Sequence, residues 1–133
     1  MDNQITITYP GGLKIRASVG RWDIITDQPV KDGGEDSAAN PFELFLASLA
    51  ACAGYYALAF CEKRKINTSG LGLKMLYKWD NKEKRITRIN FEIELPVDFP
   101  EKYHGALIRA VDACTVKKHL TQPPEMQVYI RDS

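Results

Sequence analysis

Cysteine is scarce in this sequence: there are three in 133 residues, an odd number and too few for a disulfide framework. Charge of one sign is lacking as well, since 18 Lys and Arg nearly balance 17 Asp and Glu. The cations are interleaved with acids, so no basic face is available to neutralise a nucleic-acid backbone. Histidine occurs only at His104 and His119, and without a close-spaced Cys/His cluster no metal site is expected. Met1 to Tyr9 has no cationic segment followed by an apolar stretch. No secretory signal is therefore expected, and cytoplasmic residence, where thiols stay reduced, follows as the default. Internal repeats and low-complexity tracts are also absent, and the length suits a single domain, 1–133.

What is present is patterned. Ile5, Ile7 and Tyr9 alternate with Thr6 and Thr8, the period of a half-buried strand. Pro10-Gly11-Gly12 reads as a turn, Leu13 to Ser18 alternates again, and Arg21 to Thr26 reads as a third strand after Gly20. Asp27 to Asn40 is rich in turn formers and offers little to bury, so it is expected to be a loop, either disordered or functional. Leu71 to Asp80 and Arg85 to Leu95 form a hairpin around Asn81 to Lys84. Glu101 to Ala113 has helical spacing, Thr115 to Leu120 a second short helical pattern, and Met126 to Ile130 that of a closing strand. The order is α+β with an antiparallel sheet.

Between the two halves lies a long helix. Asn40-Pro41-Phe42-Glu43 supplies a cap, a proline at the first helical position and a capping-box glutamate, and the helix is expected to run to about Lys65. From Phe42 to Cys61 only Glu43 and Ser48 are clearly polar, a run about long enough to span a membrane. Its Ala and Gly content and its mid-helix Tyr55 and Tyr56 point instead to a buried core helix. A small domain cannot cover such a helix on every side, so a second subunit is expected to supply part of the cover.

Two cysteines sit where chemistry is conceivable. Cys52 lies inside this helix, where a cysteine is ordinarily an inert small hydrophobe. Cys61 follows on roughly the opposite helix face, at about 100° per residue, and reads as a packing residue. Cys114, in Ala113-Cys114-Thr115-Val116, sits at a helix junction, where a hydroxyl and the start of the next helix would stabilise a thiolate. A half-buried junction cysteine explains the spacing equally well.

Asn40-Pro41-Phe42-Glu43-Leu44 through Ala51-Cys52 resembles the central-helix motif of the OsmC/Ohr family of thiol-dependent peroxide-handling proteins. Cys114-Thr115-Val116 with Leu120 resembles its second cysteine motif, and Asp27-Gln28-Pro29 with Gly33-Gly34 its approach to the helix. The resemblance covers most of the chain from about Trp22. It implies an intertwined homodimer, with bent antiparallel sheets around long buried central helices and active sites at the subunit interface. It further implies Cys52 as the peroxidatic thiol and Cys114 as the resolving thiol, reduced by an external dithiol, with no cofactor. Such an activity belongs to the oxidative stress response.

The pattern departs from the specialised organic-hydroperoxide branch, which carries Glu where this chain has Phe42 and an Arg just after Gly-Gly where this chain has Leu13. The broader OsmC-like branch is the better match. Arg16 and Arg21 are the candidates to stabilise a Cys52 thiolate, and each is equally explained as a solvated strand residue. Glu43 is better explained by capping. The alternative function is a non-catalytic dimer that binds a small apolar molecule in an interface cleft lined by Phe42, Phe45, Tyr55 and Tyr56.

Overall fold

The structure, a computed structural model, describes residues 3–132. The chain divides into two compact units, Met1–Ala47 and Ser48–Ser133. One continuous helix passes from the first into the second.

In the first unit, β1 (Ile5–Gly11), β2 (Lys14–Val19) and β3 (Trp22–Thr26) form an antiparallel sheet in the order β1-β2-β3. Ala17 pairs with Ile7 on one side and Ile24 on the other, which sets the register. The first turn is tighter than Pro10-Gly11-Gly12 suggests: β1 continues to Gly11, and Gly12 takes the left-handed conformation at φ +57°. The strand alternation is present, but its expected half-burial is not. Ile5 and Tyr9 are 63% and 77% exposed, because nothing in the described chain covers the apolar face of β1.

The segment from Asp27 to Asn40 is ordered around one buried side chain, which corrects the expectation that it holds little to bury. Asp27 is 1% exposed. Its carboxylate accepts from the backbone N–H of Gln28, Glu35 and Ser37 and from the Ser37 hydroxyl at 2.6 Å. The Ser37 hydroxyl, together with these N–H groups, outweighs desolvation and holds the carboxyl down to about 2. Gly34 packs so closely on this turn that a Cβ there would lie 2.0 Å from the Gln28 carbonyl oxygen.

The helix α1 runs Pro41–Lys63. Its start is a reciprocal capping box: Asn40 Oδ1 accepts from the Glu43 N–H at 2.8 Å, and Glu43 Oε1 accepts from the Asn40 N–H at 3.1 Å. Its end comes slightly before Lys65. The Ile66 N–H bonds back to the Cys61 carbonyl and the Lys65 N–H to that of Glu62, with Lys65 itself left-handed at φ +55°. This is a Schellman closure with a lysine where glycine is usual.

The rest of α1 joins β4 (Gly72–Asp80), β5 (Arg85–Glu94), α2 (His104–Asp112) and α3 (Thr115–Thr121) in the second unit. β4 and β5 pair as an antiparallel hairpin, Met75 opposite Phe91 and Leu73 opposite Ile93. A single 3-10 turn, Glu101–Tyr103, leads into α2. Ala53, Ala57, Phe60 and Cys61 form the core with Leu107 and Val111 of α2, and Leu73, Phe91 and Ile93 close it from the hairpin.

By length and composition α1 would cross a membrane, yet only 33% of its most apolar stretch is buried in the chain. Burial follows one stripe, Leu46, Leu49, Ala53, Ala57 and Phe60, at helical spacing. Ala51, Tyr55 and Leu58 on another stripe stay exposed, so the helix is half-buried rather than buried all round.

The expected closing strand is not present. Met126 to Ile130 has no strand pairing, and Val128 and Ile130 are 101% and 93% exposed. A period-two pattern makes a strand only when an edge is available to pair with, and this segment pairs with none among the described residues.

Candidate functional site

Cys52 and Cys114 meet in the second unit. Cys52 is half-buried near the middle of α1. Cys114 ends α2 and begins α3: its N–H bonds to the Val111 carbonyl, closing one helix, while its extended backbone (φ −53°, ψ 131°) turns the chain into the next. The first-turn N–H groups of α3 have no intrahelical acceptors and need one from elsewhere.

The Cys52 sulfur lies beside the first two of them. Burial alone would raise its pKa, but the Cys114 thiol and the backbone N–H groups of Val116 and Thr115 donate toward it, leaving the Cys52 pKa below the ordinary thiol value. Cys114 moves the other way. It is 2% exposed, and burial first, then its role as donor to Cys52, raises its pKa. The two shifts are opposed, so of the pair Cys52 is the thiol that ionises more readily. No disulfide links them.

Tyr56 stands one turn beyond Cys52 on α1, and its hydroxyl lies 2.8 Å from Thr115 Oγ1, joining α1 to the first residue of α3. His119 Nδ1 approaches the Thr115 carbonyl at 2.8 Å from within the same helix. Tyr55 packs edge-on to Tyr56 with ring centroids 5.5 Å apart. Cys61 is 0% exposed in the core, and burial raises its pKa, so its environment is that of a packing side chain.

The remaining sequence candidates have their own local partners. Arg16 sits on β2, paired in register with Thr8 and Ile25. Arg21 stacks its guanidinium 4.7 Å from the centroid of the Trp22 ring. Both belong to the first unit, and the lowering of Cys52 described above uses neither. Phe42 and Phe45, also in the first unit, stack on each other at 5.7 Å. Tyr56 lines a groove of about 400 Å³ with Phe60, Lys63, Arg64 and Arg109. A larger cavity of about 510 Å³ has Leu49, Phe91, Ile108, Val111 and Leu120 on its walls, with Cys114 among them. Sequence reasoning missed this cavity because it is bounded by β5, α2 and α3, whose mutual placement has no local signature. His104 packs against Phe99. Among the described residues no group of three or more His, Cys, Asp or Glu side chains is arranged to hold a metal.

The fold and this pair of thiols define an α+β protein in which a helix-borne cysteine faces a second cysteine at a helix junction. The model of the OsmC-like protein family matches residues 34–128, and the chain belongs to this OsmC/Ohr family. No curated protein matches the sequence. Among solved structures, the chain resembles a proposed osmotic stress induced and detoxification response protein from Psychrobacter arcticus 273-4. The two share 22% identity with a TM-score of 0.72, over 89% of this chain and 88% of that one. It also resembles an OsmC like protein from Mycoplasma pneumoniae (19% identity, TM-score 0.65, 92% and 91% covered). A third match is an organic hydroperoxide resistance protein OsmC from Legionella pneumophila (18% identity, TM-score 0.53, 88% of each chain). At these identities the likeness is one of fold.

Proposed function

We propose that this protein is a cytoplasmic thiol-dependent peroxidase for organic hydroperoxides or hydrogen peroxide. The observation that carries the reading is the pair of opposed thiols, Cys52 lowered and Cys114 raised, in direct interaction. Family membership and the hydroperoxide-resistance relative support the substrate class. The family match crosses the junction between the two units, which supports reading the chain as one OsmC-like domain.

In the first step the Cys52 thiolate attacks one peroxide oxygen. The O–O bond breaks, an alkoxide or hydroxide leaves and takes a proton, and Cys52 becomes a sulfenic acid. The Cys114 thiol then condenses with it, forming the S–S bond and releasing water. An external dithiol returns both cysteines to thiols and is itself oxidised to a disulfide. The two electrons that reduce the peroxide thus come from the dithiol, and none of these steps calls on a metal or bound cofactor. Arg16 or Arg21 would enter only as a further cation beside the thiolate. The exposed apolar faces of β1 and α1 support assembly as a homodimer.

The test is peroxide consumption with a small dithiol as reductant. Cys52→Ser is expected to abolish it, and equal rates in wild type and variant would overturn the reading. A second reading, non-catalytic binding of a small apolar molecule, is favoured by the apolar cavity of about 510 Å³. It predicts ligand binding that survives Cys52→Ser in a protein without turnover.

A further inference from the structure

The backbone donors beside Cys52 come from a short helix that the Cys114 turn and the Lys117–Asp112 ion pair join to the end of α2, so their position against α1 needs its own anchor. The first-turn N–H groups of Thr115 and Val116 can donate to a sulfur on α1 only while α3 starts at the right height along that helix. Cys52 and Tyr56 are four residues apart, so they project from the same face of α1, one turn apart. The Tyr56 hydroxyl meets the side chain of Thr115, the residue whose own N–H is directed at Cys52. This contact joins positions 59 apart in sequence. α3 has no side-chain cap hydrogen bond of its own at Cys114, and its other polar side-chain links among the described residues, Lys117 with Asp112, His119 with Thr115 and Thr121 with the Lys117 and Lys118 carbonyls, tie it to the end of α2 and to itself.

We propose that Tyr56 is a positioning residue for the thiol site: its hydrogen bond to Thr115 Oγ1 holds the start of α3 against α1, so that the Thr115 and Val116 N–H groups and the Cys114 thiol stay aimed at the Cys52 sulfur. Tyr56 does not touch the reacting atoms and acts through Thr115. The inference rests on the thiol-peroxidase reading for its consequence in turnover, but the tether itself is a statement about the reduced protein. When the hydrogen bond is lost, α3 is free to shift, the donors leave the sulfur, and the thiolate forms less readily. The distance over which Cys114 must move to close the disulfide also becomes less defined.

The experiment uses the full chain carrying Tyr56→Phe, which keeps the ring and removes only the hydroxyl, alongside Thr115→Val and Thr115→Ser. The readout is the pH profile of iodoacetamide alkylation at Cys52, mapped by mass spectrometry, together with the rate of sulfenic acid formation after peroxide addition. Tyr56→Phe and Thr115→Val are expected to move the alkylation midpoint to higher pH and slow Cys52 oxidation at neutral pH by about three- to tenfold, the range expected for one lost hydrogen bond. Thr115→Ser, which keeps the hydroxyl, is expected to restore the wild-type profile. An unchanged midpoint in Tyr56→Phe, or Thr115→Ser and Thr115→Val behaving alike, would overturn the tether. Because alkylation needs no peroxide turnover, these outcomes are separate from the one that would overturn the peroxidase reading, equal activity in wild type and Cys52→Ser.

Discussion

At the scale of single residues, the division of labour between the two thiols depends on burial and on the contact between them. Backbone N–H groups favour the thiolate at both, but burial outweighs them at Cys114, which is raised, whereas at Cys52 the Cys114 thiol adds to them and the pKa is lowered. The sign for reactivity follows directly. A lowered Cys52 pKa means that the thiolate persists to a lower pH than in an ordinary thiol. Reactivity is therefore lost as pH falls through the lowered value. Replacing Cys114 with alanine removes one donor and, in the proposed reaction, the resolving thiol together. Two effects are expected: the alkylation midpoint of Cys52 rises, and the sulfenic acid accumulates after peroxide and is trapped by dimedone. A Cys114→Ala protein with an unshifted midpoint and no trapped adduct would remove Cys114 from both roles.

At the scale of elements, the ends of α1 differ in how well their sequence suits them. The N-terminus uses Asn40 and Glu43 in the residue types that a capping box favours. The C-terminus places Lys65 in the left-handed region, where a Cβ is penalised and glycine is not. Lys65→Gly is therefore expected to stabilise the protein by about 0.5–1 kcal/mol, partly offset by the greater freedom of glycine in the unfolded chain. Chemical denaturation would show a higher midpoint at unchanged slope. A lower midpoint would mean that the lysine side chain contributes something the Schellman geometry does not reveal. The loop from Asp27 to Asn40 shows the opposite economy: one buried carboxylate collects four donors and orders a segment that turn-forming composition alone leaves open.

At the scale of the whole molecule, the apolar surface left open is too large to ignore. Tyr55 and Leu58 on α1 are 63% and 43% exposed, Trp22 on β3 is 63% exposed, and the apolar positions of 126–130 have no cover. Apolar exposure on this scale marks interaction surfaces, and a homodimer is the expected occupant. Gly54 turns that expectation into a measurement, because a Cβ built there meets nothing within 4 Å in the single chain. A lone subunit would accept leucine and gain helix propensity of about 1 kcal/mol. A dimer packed on α1 would be overfilled at a cost of about 1–3 kcal/mol. We expect the wild type to sediment as a dimer at micromolar concentration and Gly54→Leu to shift it toward monomer. A monomeric wild type that Gly54→Leu makes more stable would exclude packing at this face.

What the sequence by itself determined is whatever depends on neighbours a few residues apart. The capping box at Asn40, the hairpin around Asn81 to Lys84 and the helical spacing before Cys114 were readable because turn chemistry and periodicity are local. The two cysteine motifs, in their order, were enough to indicate the family. Periodicity was silent on α1, since a helix apolar on all sides does not say which stripe the rest of the chain will cover. Tertiary packing chose the one through Leu49, Ala53 and Ala57. The alternation of Met126 to Ile130 states only a capacity to pair, and among the described residues no edge pairs with that segment. Tertiary structure alone also decided that Cys52 faces Cys114 and that Tyr56 reaches Thr115, because those contacts depend on where α3 is set down against α1, and no local rule encodes the distance between two elements so far apart in sequence.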